Sequence, residues 1–209
     1  MKDRNFDLGA GTHLYLFLRW YFTPYRRLAR YLPNRGLILD MGCGYGLLSI
    51  TAAAKEPNRT IIAFDIDRER LRVARHASRG LANLMFVDLP IEKLSTERYS
   101  AVAAVDVVHY FDPVTQVQLI KKVHSLLEAG GVFLMREIDA HSSLASWWNR
   151  SYEKAAIKFG LTQVAQSCLS FRGLAEWKSL LEGSGFKVNV EKCTNFFFAD
   201  VLFVCEKNE

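Results

Sequence analysis

Cysteine is scarce in this sequence, which has only four in 209 residues. They are far apart and form no Cys-x-x-Cys pair: Cys43, Cys168, Cys193 and Cys205. This excludes a dense disulfide framework, and a chain of this length can bury a core without covalent staples. The histidines also lack ligand-like spacing, as at His13, His76 and His124, so we predict no metal site. We expect a reduced, cytoplasmic setting.

Long hydrophobic runs are missing as well. The most apolar stretch near the start, "LYLFLRWYF" at Leu14–Phe22, has eight apolar or aromatic residues and one arginine. A spanning helix needs about 20 apolar residues, so this segment is not expected to cross a membrane. A secretory signal is not expected either, because Asp3 and Asp7 precede the stretch and no small-residue cleavage site follows before Arg26. With no internal repeat or interdomain linker, the sequence predicts a single domain.

Short apolar runs recur through the first two thirds of the chain. They are nearly all apolar, as in parallel strands covered on both faces, and we place them at Leu37–Met41, Thr60–Phe64, Asn83–Val87, Ala101–Val105 and Val132–Ile138. Two final strands, Phe186–Lys192 and Val201–Glu206, are separated by a short loop and should pair antiparallel.

Helical patterns separate these strands. We predict a helix over Leu47–Lys55, a second capped by Asp67, and a third that starts at Asp112-Pro113 and runs to Leu127, with Gly130-Gly131 as its stop. The alternation predicts a doubly wound α/β fold with a seven-stranded, mostly parallel sheet and helices on both faces. We expect this domain to consist of four segments: a helical lid at residues 1–33, a cofactor-binding core at 35–138, a helical insertion at 139–172, and a C-terminal helix and strand pair at 173–209.

A glycine-rich turn, "ILDMGCGYG", follows the first strand. A dinucleotide fold has the pattern G-x-G-x-x-G, but counting from Gly42 and Gly44 the last position is Leu47. Asp40 precedes the turn, and its carboxylate would repel a pyrophosphate while attracting an ammonium or sulfonium group. The turn therefore favours a cationic, nucleoside-bearing ligand, to which glycines allow close backbone approach.

The segment "LDMGCGYG" resembles the first motif of the class I S-adenosylmethionine (SAM) dependent methyltransferases, and the order of elements is also similar to that Rossmann-like family. The resemblance implies SAM as cofactor and S-adenosylhomocysteine (SAH) as product. It implies that Asp65 binds the ribose hydroxyls, that Ile66 packs on adenine, and that Asp88 accepts from the adenine amino group. The full implied set of cofactor residues is Asp40, Gly42, Cys43, Gly44, Gly46, Asp65, Ile66, Asp88, Leu89 and Asp106.

Methyl transfer requires a general base only if the acceptor starts protonated. His109, in "DVVHYF" after the fourth strand, is the first candidate because ligands of such folds bind at that edge of the sheet. Glu137 and His141, near the end of the fifth strand, are second candidates. Asp106 is interpreted as a pocket residue and not as the base.

No Asn-Pro-Pro-Tyr or Asp-Pro-Pro-Tyr segment follows the fourth strand, and no Pro-Cys pair is present, which argues against DNA-base methylation in this family. The aromatic N-terminal segment and the insertion are expected to wall a hydrophobic acceptor pocket. The candidate acceptor residues are Tyr15, Trp20, Tyr21, His109, Tyr110, His141 and Trp147. We therefore predict a small-molecule or lipid-type acceptor, with peripheral membrane contact as a further hypothesis.

Two alternatives stay open. The formal net charge of +5 permits acidic partners, and one predicted helix is rich in arginine, which would suit an RNA methyltransferase: Arg68, Arg70, Arg72, Arg75 and Arg79. The second alternative is a SAM-binding regulator without transfer activity, although suitable residues fill the cofactor positions.

Overall fold

A computed structural model describes residues 9–88, 98–141, 169–193 and 200–208, and the structural statements below concern these ranges. The helices are α1 Ala10–Phe22, α2 Tyr25–Leu28, α3 Leu47–Lys55, α4 Arg68–Ala77, α5 Pro113–Leu126 and α6 Leu174–Gly183. The strands are β1 Gly36–Met41, β2 Arg59–Phe64, β3 Leu84–Val87, β4 Tyr99–Val105, β5 Leu127–Ile138, β6 Phe186–Lys192 and β7 Asp200–Lys207. A short 3-10 turn lies at Val108–Tyr110.

The seven strands form one sheet in the order β3-β2-β1-β4-β5-β7-β6. Strands β1 to β5 are parallel, and β7 lies antiparallel between β5 and β6. This confirms the predicted doubly wound fold and its antiparallel C-terminal pair. The chain moves outward in opposite directions from β1 and β4, so the carboxyl ends of these strands border the crevice where open α/β sheets bind ligands.

The sheet is covered on both faces, as predicted. Leu39 and Met41 of β1 belong to a core cluster that includes buried side chains of α5 and α6. Ile38, on the opposite face of β1, packs in a second cluster with side chains of α2 and α3. Strand β4 is buried at every position. Its all-apolar run after Ser100 is therefore the central strand of the fold.

Two expected helix caps are confirmed. The Asp67 carboxylate accepts from the backbone N–H groups of Glu69 and Arg70, and Asp112 caps α5 in the same way ahead of Pro113. The predicted stop of α5 at Gly130-Gly131 is wrong, because α5 ends at Leu126 and the glycines lie within β5. Gly130 has φ 70°, and the register of β4 with β5 shifts here, so the glycines form an irregularity in the strand. The division into lid, core, insertion and C-terminal unit stays a prediction.

Arg59, at the start of β2, is fully buried and binds backbone carbonyls. Its guanidinium donates at 2.7 to 3.0 Å to four carbonyl oxygens, those of Ala29, Leu32, Pro33 and Ala52. These carbonyls lie at or near the ends of α2 and α3, where helical backbone acceptors have no partner within the helix. One side chain thus joins both helices to the sheet.

We expect Arg59→Met to lower the free energy of unfolding by roughly 3–5 kcal/mol, because four carbonyls lose their donor inside the protein. Urea unfolding measures the loss. The matched control is Arg72→Gln, which removes an exposed arginine of α4 and should change the stability by less than about 0.5 kcal/mol. Equal losses in both variants would contradict this role of Arg59.

Candidate functional site

A cavity of about 350 Å³ lies at the carboxyl ends of β1, β2 and β4. The glycine turn forms its floor through Gly42, Cys43 and Gly44, and α1 contributes Tyr15 and Arg19. The cavity thus lies at the crevice that the sheet order indicates.

The three glycines of the turn serve different purposes. All have positive φ, at 67°, 54° and 75° for Gly42, Gly44 and Gly46. A Cβ on Gly42 would lie 2.3 Å from Val107, and one on Gly46 would lie 2.6 Å from the Phe86 ring. A Cβ on Gly44 would have no heavy atom nearer than 4.0 Å and would occupy the cavity side of the turn. Gly46 does not line the cavity, and close packing against Phe86 accounts for a glycine there, so its contact with the cofactor stays a prediction.

Asp65, at the end of β2, organises the turn. One carboxylate oxygen accepts from the Gly44 N–H at 2.7 Å, and the other accepts from the Asp67 N–H at 2.9 Å. Both oxygens retain lone pairs, so the carboxylate can still accept from a ligand hydroxyl. Asp65 and Ile66 line the cavity, and Ile66 is 69% exposed. This geometry suits the ribose and adenine roles that the resemblance implies.

Asp40 lies buried beneath the turn, where its carboxylate accepts from the Ser49 hydroxyl. Burial, with a smaller contribution from nearby Asp65, raises the pKa of Asp40 to about 6, although the hydrogen bonds from Ser49 oppose the rise. An ionised Asp40 is therefore costly in the empty protein and favourable beside a cation.

Asp88 does not line the cavity. Its carboxylate pairs with Arg68 at 2.5 Å, across the start of α4. Leu89 lies outside the described residues. Direct contact of Asp88 with adenine therefore stays a prediction.

Asp106 follows β4 and lines the cavity with a left-handed backbone, at φ 55°. Its carboxylate accepts from Arg19 of α1 at 3.0 Å and from Arg136 of β5 at 2.5 Å. Arg136 also pairs with Asp200 at the start of β7. Burial opposes ionisation of Asp106, but Arg136 and Arg19 outweigh it and hold the pKa of this carboxyl below its ordinary value. We refer to Arg19, Asp106, Arg136 and Asp200 as the ion chain.

His109 and Glu137 form a buried pair that does not line the cavity. His109 Nδ1 lies 2.7 Å from a Glu137 oxygen, and its ring stacks on Phe171 with centroids 5.1 Å apart. The other Glu137 oxygen accepts from the N–H groups of Val107 and Val108 at 3.2 and 2.6 Å. The pair therefore holds the 107–110 segment in place. This geometry does not support direct base catalysis, which stays a prediction.

The candidate acceptor residues separate into different places. Tyr15 and Tyr110 line the cavity, whereas Trp20 and Tyr21 are 43% and 71% exposed and do not. His141 lies at the surface beside Glu176, with 3.3 Å between the paired atoms. Trp147 lies outside the described residues. Of the candidates within the described residues, the two tyrosines are therefore the ones that line the cavity.

Sequence reasoning missed Arg19, Arg136 and Asp200. A signal was available for the first two, because each arginine interrupts an otherwise apolar run, "LYLFLRWYF" or "VFLMREI". A charge in such a run must be paired when the run is buried. The partners lie far apart in sequence and could not be assigned without the fold.

With the fold and cavity defined, a family model described as a methyltransferase domain matches residues 35–185. The chain therefore belongs to the SAM-dependent methyltransferase family, and SAM is the cofactor of that family. This confirms the resemblance of the glycine turn.

Two curated relatives illustrate the range of this family. The malonyl-[acyl-carrier protein] O-methyltransferase of Halalkalibacterium halodurans is 27% identical over 70% of this chain and 54% of its own length. The carboxy-S-adenosyl-L-methionine synthase of Pseudoalteromonas atlantica is 30% identical over 54% of this chain and 49% of its own length. The chain thus spans about half the length of these relatives.

A solved structure shows the same fold. The magnesium protoporphyrin IX methyltransferase of Synechocystis PCC 6803, solved with bound SAH, superposes with a TM-score of 0.69 at 16% identity. The match covers 97% of this chain and 89% of that one.

We expect Asp40→Asn to stabilise the empty protein by up to about 3 kcal/mol at pH 7.5, because ionising the buried carboxyl is then no longer required. The folded pKa exceeds the unfolded value, so the contribution of Asp40 to stability is present below about pH 4 and is lost as the pH rises through 6. The gain from the substitution should accordingly shrink below pH 6. Urea unfolding across this pH range measures it.

The same substitution should weaken SAM binding, and SAM affinity of the unsubstituted protein should fall as Asp40 is protonated below pH 6. Titration calorimetry at several pH values tests this. Affinity that is independent of pH and of the substitution would exclude Asp40 as the partner of the cationic cofactor.

Glu137→Ala should lower the free energy of unfolding by roughly 3–5 kcal/mol, because two backbone N–H groups and His109 lose a buried acceptor. Glu137→Gln retains one oxygen acceptor and should cost less. Urea unfolding separates the two variants. If His109→Gln instead removed an ionisation from the pH profile of methyl transfer while leaving stability unchanged, a base role for the histidine would be restored.

Proposed function

We propose that this chain transfers the methyl group of SAM to a hydrophobic small-molecule or lipid-type acceptor bound in the cavity. The observation that carries the proposal is the aromatic wall of the cavity, formed by Tyr15, Tyr25, Tyr45, Tyr110 and Phe111. The Tyr15 and Tyr45 rings lie 5.9 Å apart and connect α1 to the turn. Apolar and aromatic walls with few polar groups are typical of sites for apolar ligands.

The charges around the cavity suit SAM, which carries a sulfonium, an ammonium and a carboxylate group. Asp40 supplies an anion beneath the turn, and Arg19 supplies a cation on the α1 side. The Asp65 carboxylate and the exposed Ile66 would hold the nucleoside. When bound, SAM supplies the electrophilic methyl carbon, and the protein contributes alignment and a dry, aromatic enclosure.

The described part of the cavity wall supports transfer by positioning. It contains no histidine, and the carboxylates of Asp40, Asp65, Asp67 and Asp106 each accept hydrogen bonds from protein donors. An acceptor that is already nucleophilic at neutral pH needs no base. We therefore propose an acceptor atom of this kind. The name of the malonyl-[acyl-carrier protein] O-methyltransferase relative favours oxygen.

The RNA alternative receives less support from the geometry. In α4, Arg68, Arg70 and Arg72 pair with nearby carboxylates, and Arg75 donates to the Phe86 carbonyl. These arginines are committed to contacts within the protein, which weakens the case for a phosphate-binding face. A lipid-type acceptor would be met at a membrane, so peripheral membrane contact is part of our proposal.

The test is incubation of the purified chain with methyl-labelled SAM and a cell extract, followed by separation of lipid, small-molecule, RNA and protein fractions. We expect label in the lipid or small-molecule fraction together with SAH release. Asp65→Asn is the control for cofactor-dependent transfer, because it replaces the carboxylate proposed to hold the ribose hydroxyls with an amide that has one oxygen acceptor.

Label in RNA alone would contradict the proposal. Mass spectrometry of the cofactor provides a second criterion, since a carboxylated SAM in place of SAH would group the chain with its carboxy-SAM synthase relatives. SAM binding without SAH release on any fraction would support the regulator alternative.

A further inference from the structure

Helix α1 presents apolar side chains on two different faces. On one face Tyr15 is buried and lines the cavity together with Arg19. On another, Leu14, Phe17 and Tyr21 are 59%, 64% and 71% exposed. Residues three, four and seven positions apart share a helix face, so these three form one row, which we call the outer stripe. The helix that walls the cavity therefore also offers an apolar surface to the outside.

The outer stripe is a continuous surface. The rings of Phe17 and Tyr21 stack with centroids 6.4 Å apart and planes 18° from parallel. Trp20, beside the stripe, is 43% exposed and stacks on Tyr25 at the start of α2. Large exposed apolar side chains elsewhere in the described residues, such as Met85 and Val114, come from separate elements of the fold. Clustering of this kind indicates an interaction surface, whereas single exposed residues are ordinary.

Charge identifies the partner. Residues 8–39 contain five arginines and no aspartate or glutamate. Arg19 pairs with Asp106 and Arg27 with Glu191. The other three, Arg26, Arg30 and Arg35, are exposed, and within the described part of the chain none of them forms an ion pair. A segment that contains arginines and no acidic residue therefore directly follows the outer stripe along the chain.

We propose that the outer stripe and these three arginines dock the protein on an anionic membrane surface. Leucine and aromatic side chains of a surface helix bury into the interfacial region, while arginines attract anionic headgroups. In the described residues no helix is long and apolar enough to cross a bilayer, and α1 has 13 residues, so α1 would lie along the surface. The inference deepens the proposed function, because docking through α1 would bring the cavity wall to a lipid-type acceptor.

The test is co-sedimentation of the purified chain with neutral phosphatidylcholine vesicles and with vesicles that also contain phosphatidylglycerol. We expect binding to the anionic vesicles at low salt and a marked loss at high salt. The variant Leu14→Ser/Phe17→Ser/Tyr21→Ser should bind the anionic vesicles at least about tenfold more weakly. The variant Arg26→Gln/Arg30→Gln/Arg35→Gln should lose about fivefold per arginine at low salt.

Matched controls remove the same chemistry from other surfaces. Met85→Ser/Val114→Ser removes two apolar side chains that are 60% and 65% exposed. Arg72→Gln/Lys121→Gln/Lys122→Gln removes three exposed cations from α4 and α5. Both controls should bind vesicles as the unsubstituted protein does.

Three outcomes would overturn the proposal: no binding to either vesicle, equal binding by the stripe variant, or loss of binding in the control variants. Light scattering tests a fourth outcome. If the chain binds no vesicles but forms a dimer that the stripe substitutions dissociate, the outer stripe is a contact with a second copy of the chain. Binding to soluble polyglutamate but not to vesicles would indicate an acidic protein partner instead. Neither SAM nor acceptor is added, so failure here leaves the proposed methyl transfer standing, and failure of transfer leaves docking standing.

Discussion

The carboxylate of Asp106 is the contact on which the cavity depends. It lies at the end of the central strand β4 and joins Arg19 of α1 to Arg136 of β5, which in turn binds Asp200 of β7. Four elements from distant parts of the chain thus meet through alternating charges. Taking such charges out of water is costly, and only their mutual pairing offsets the cost, so removing one would leave its neighbour buried and uncompensated. Asp106 has a left-handed backbone, which is strained for a residue other than glycine, and the ion pairs hold it in this conformation.

Around this ion chain, the protein uses carboxylates for two separate tasks. Asp65 and Glu137 accept from backbone N–H groups and thereby shape the two loops that flank the cavity. Among the described residues, the Asp40 carboxylate accepts hydrogen bonds from Ser49 alone, through the Ser49 hydroxyl and backbone N–H, and burial raises the pKa of Asp40 to about 6. Its charge is therefore poorly compensated by the protein and would be stabilised by a cationic ligand in the cavity. The site is electrostatically prepared for the cofactor, and the aromatic wall is where we propose that the acceptor binds.

Sequence reasoning succeeded where the signal was local. The glycine turn, the caps at Asp67 and Asp112 and the apolar strands could be predicted, because each depends on a few neighbouring residues. His109 follows β4 and Glu137 lies near the end of β5, but both are buried and neither lines the cavity, so their catalytic role stays a prediction. Position along the chain indicates the edge of the sheet at which a side chain lies, and it does not indicate the direction in which the side chain points after an irregular turn. The same limit applies to Gly46, which lies close to Phe86 and does not line the described cavity.

The sequence by itself determined the fold class and the chemistry of the cofactor. Alternating strands and helices dictate a doubly wound sheet, and three glycines behind an aspartate favour a cationic nucleoside over a phosphate. Only the tertiary structure decided which residues form the wall of the cavity. Arg19, Asp106, Arg136 and Asp200 are separated by up to 181 positions from first to last, and they meet because β4, β5 and β7 are neighbours in the sheet while α1 lies over their edge. Long-range pairing of buried charges is a property of the assembled fold, since no local pattern selects one partner among many.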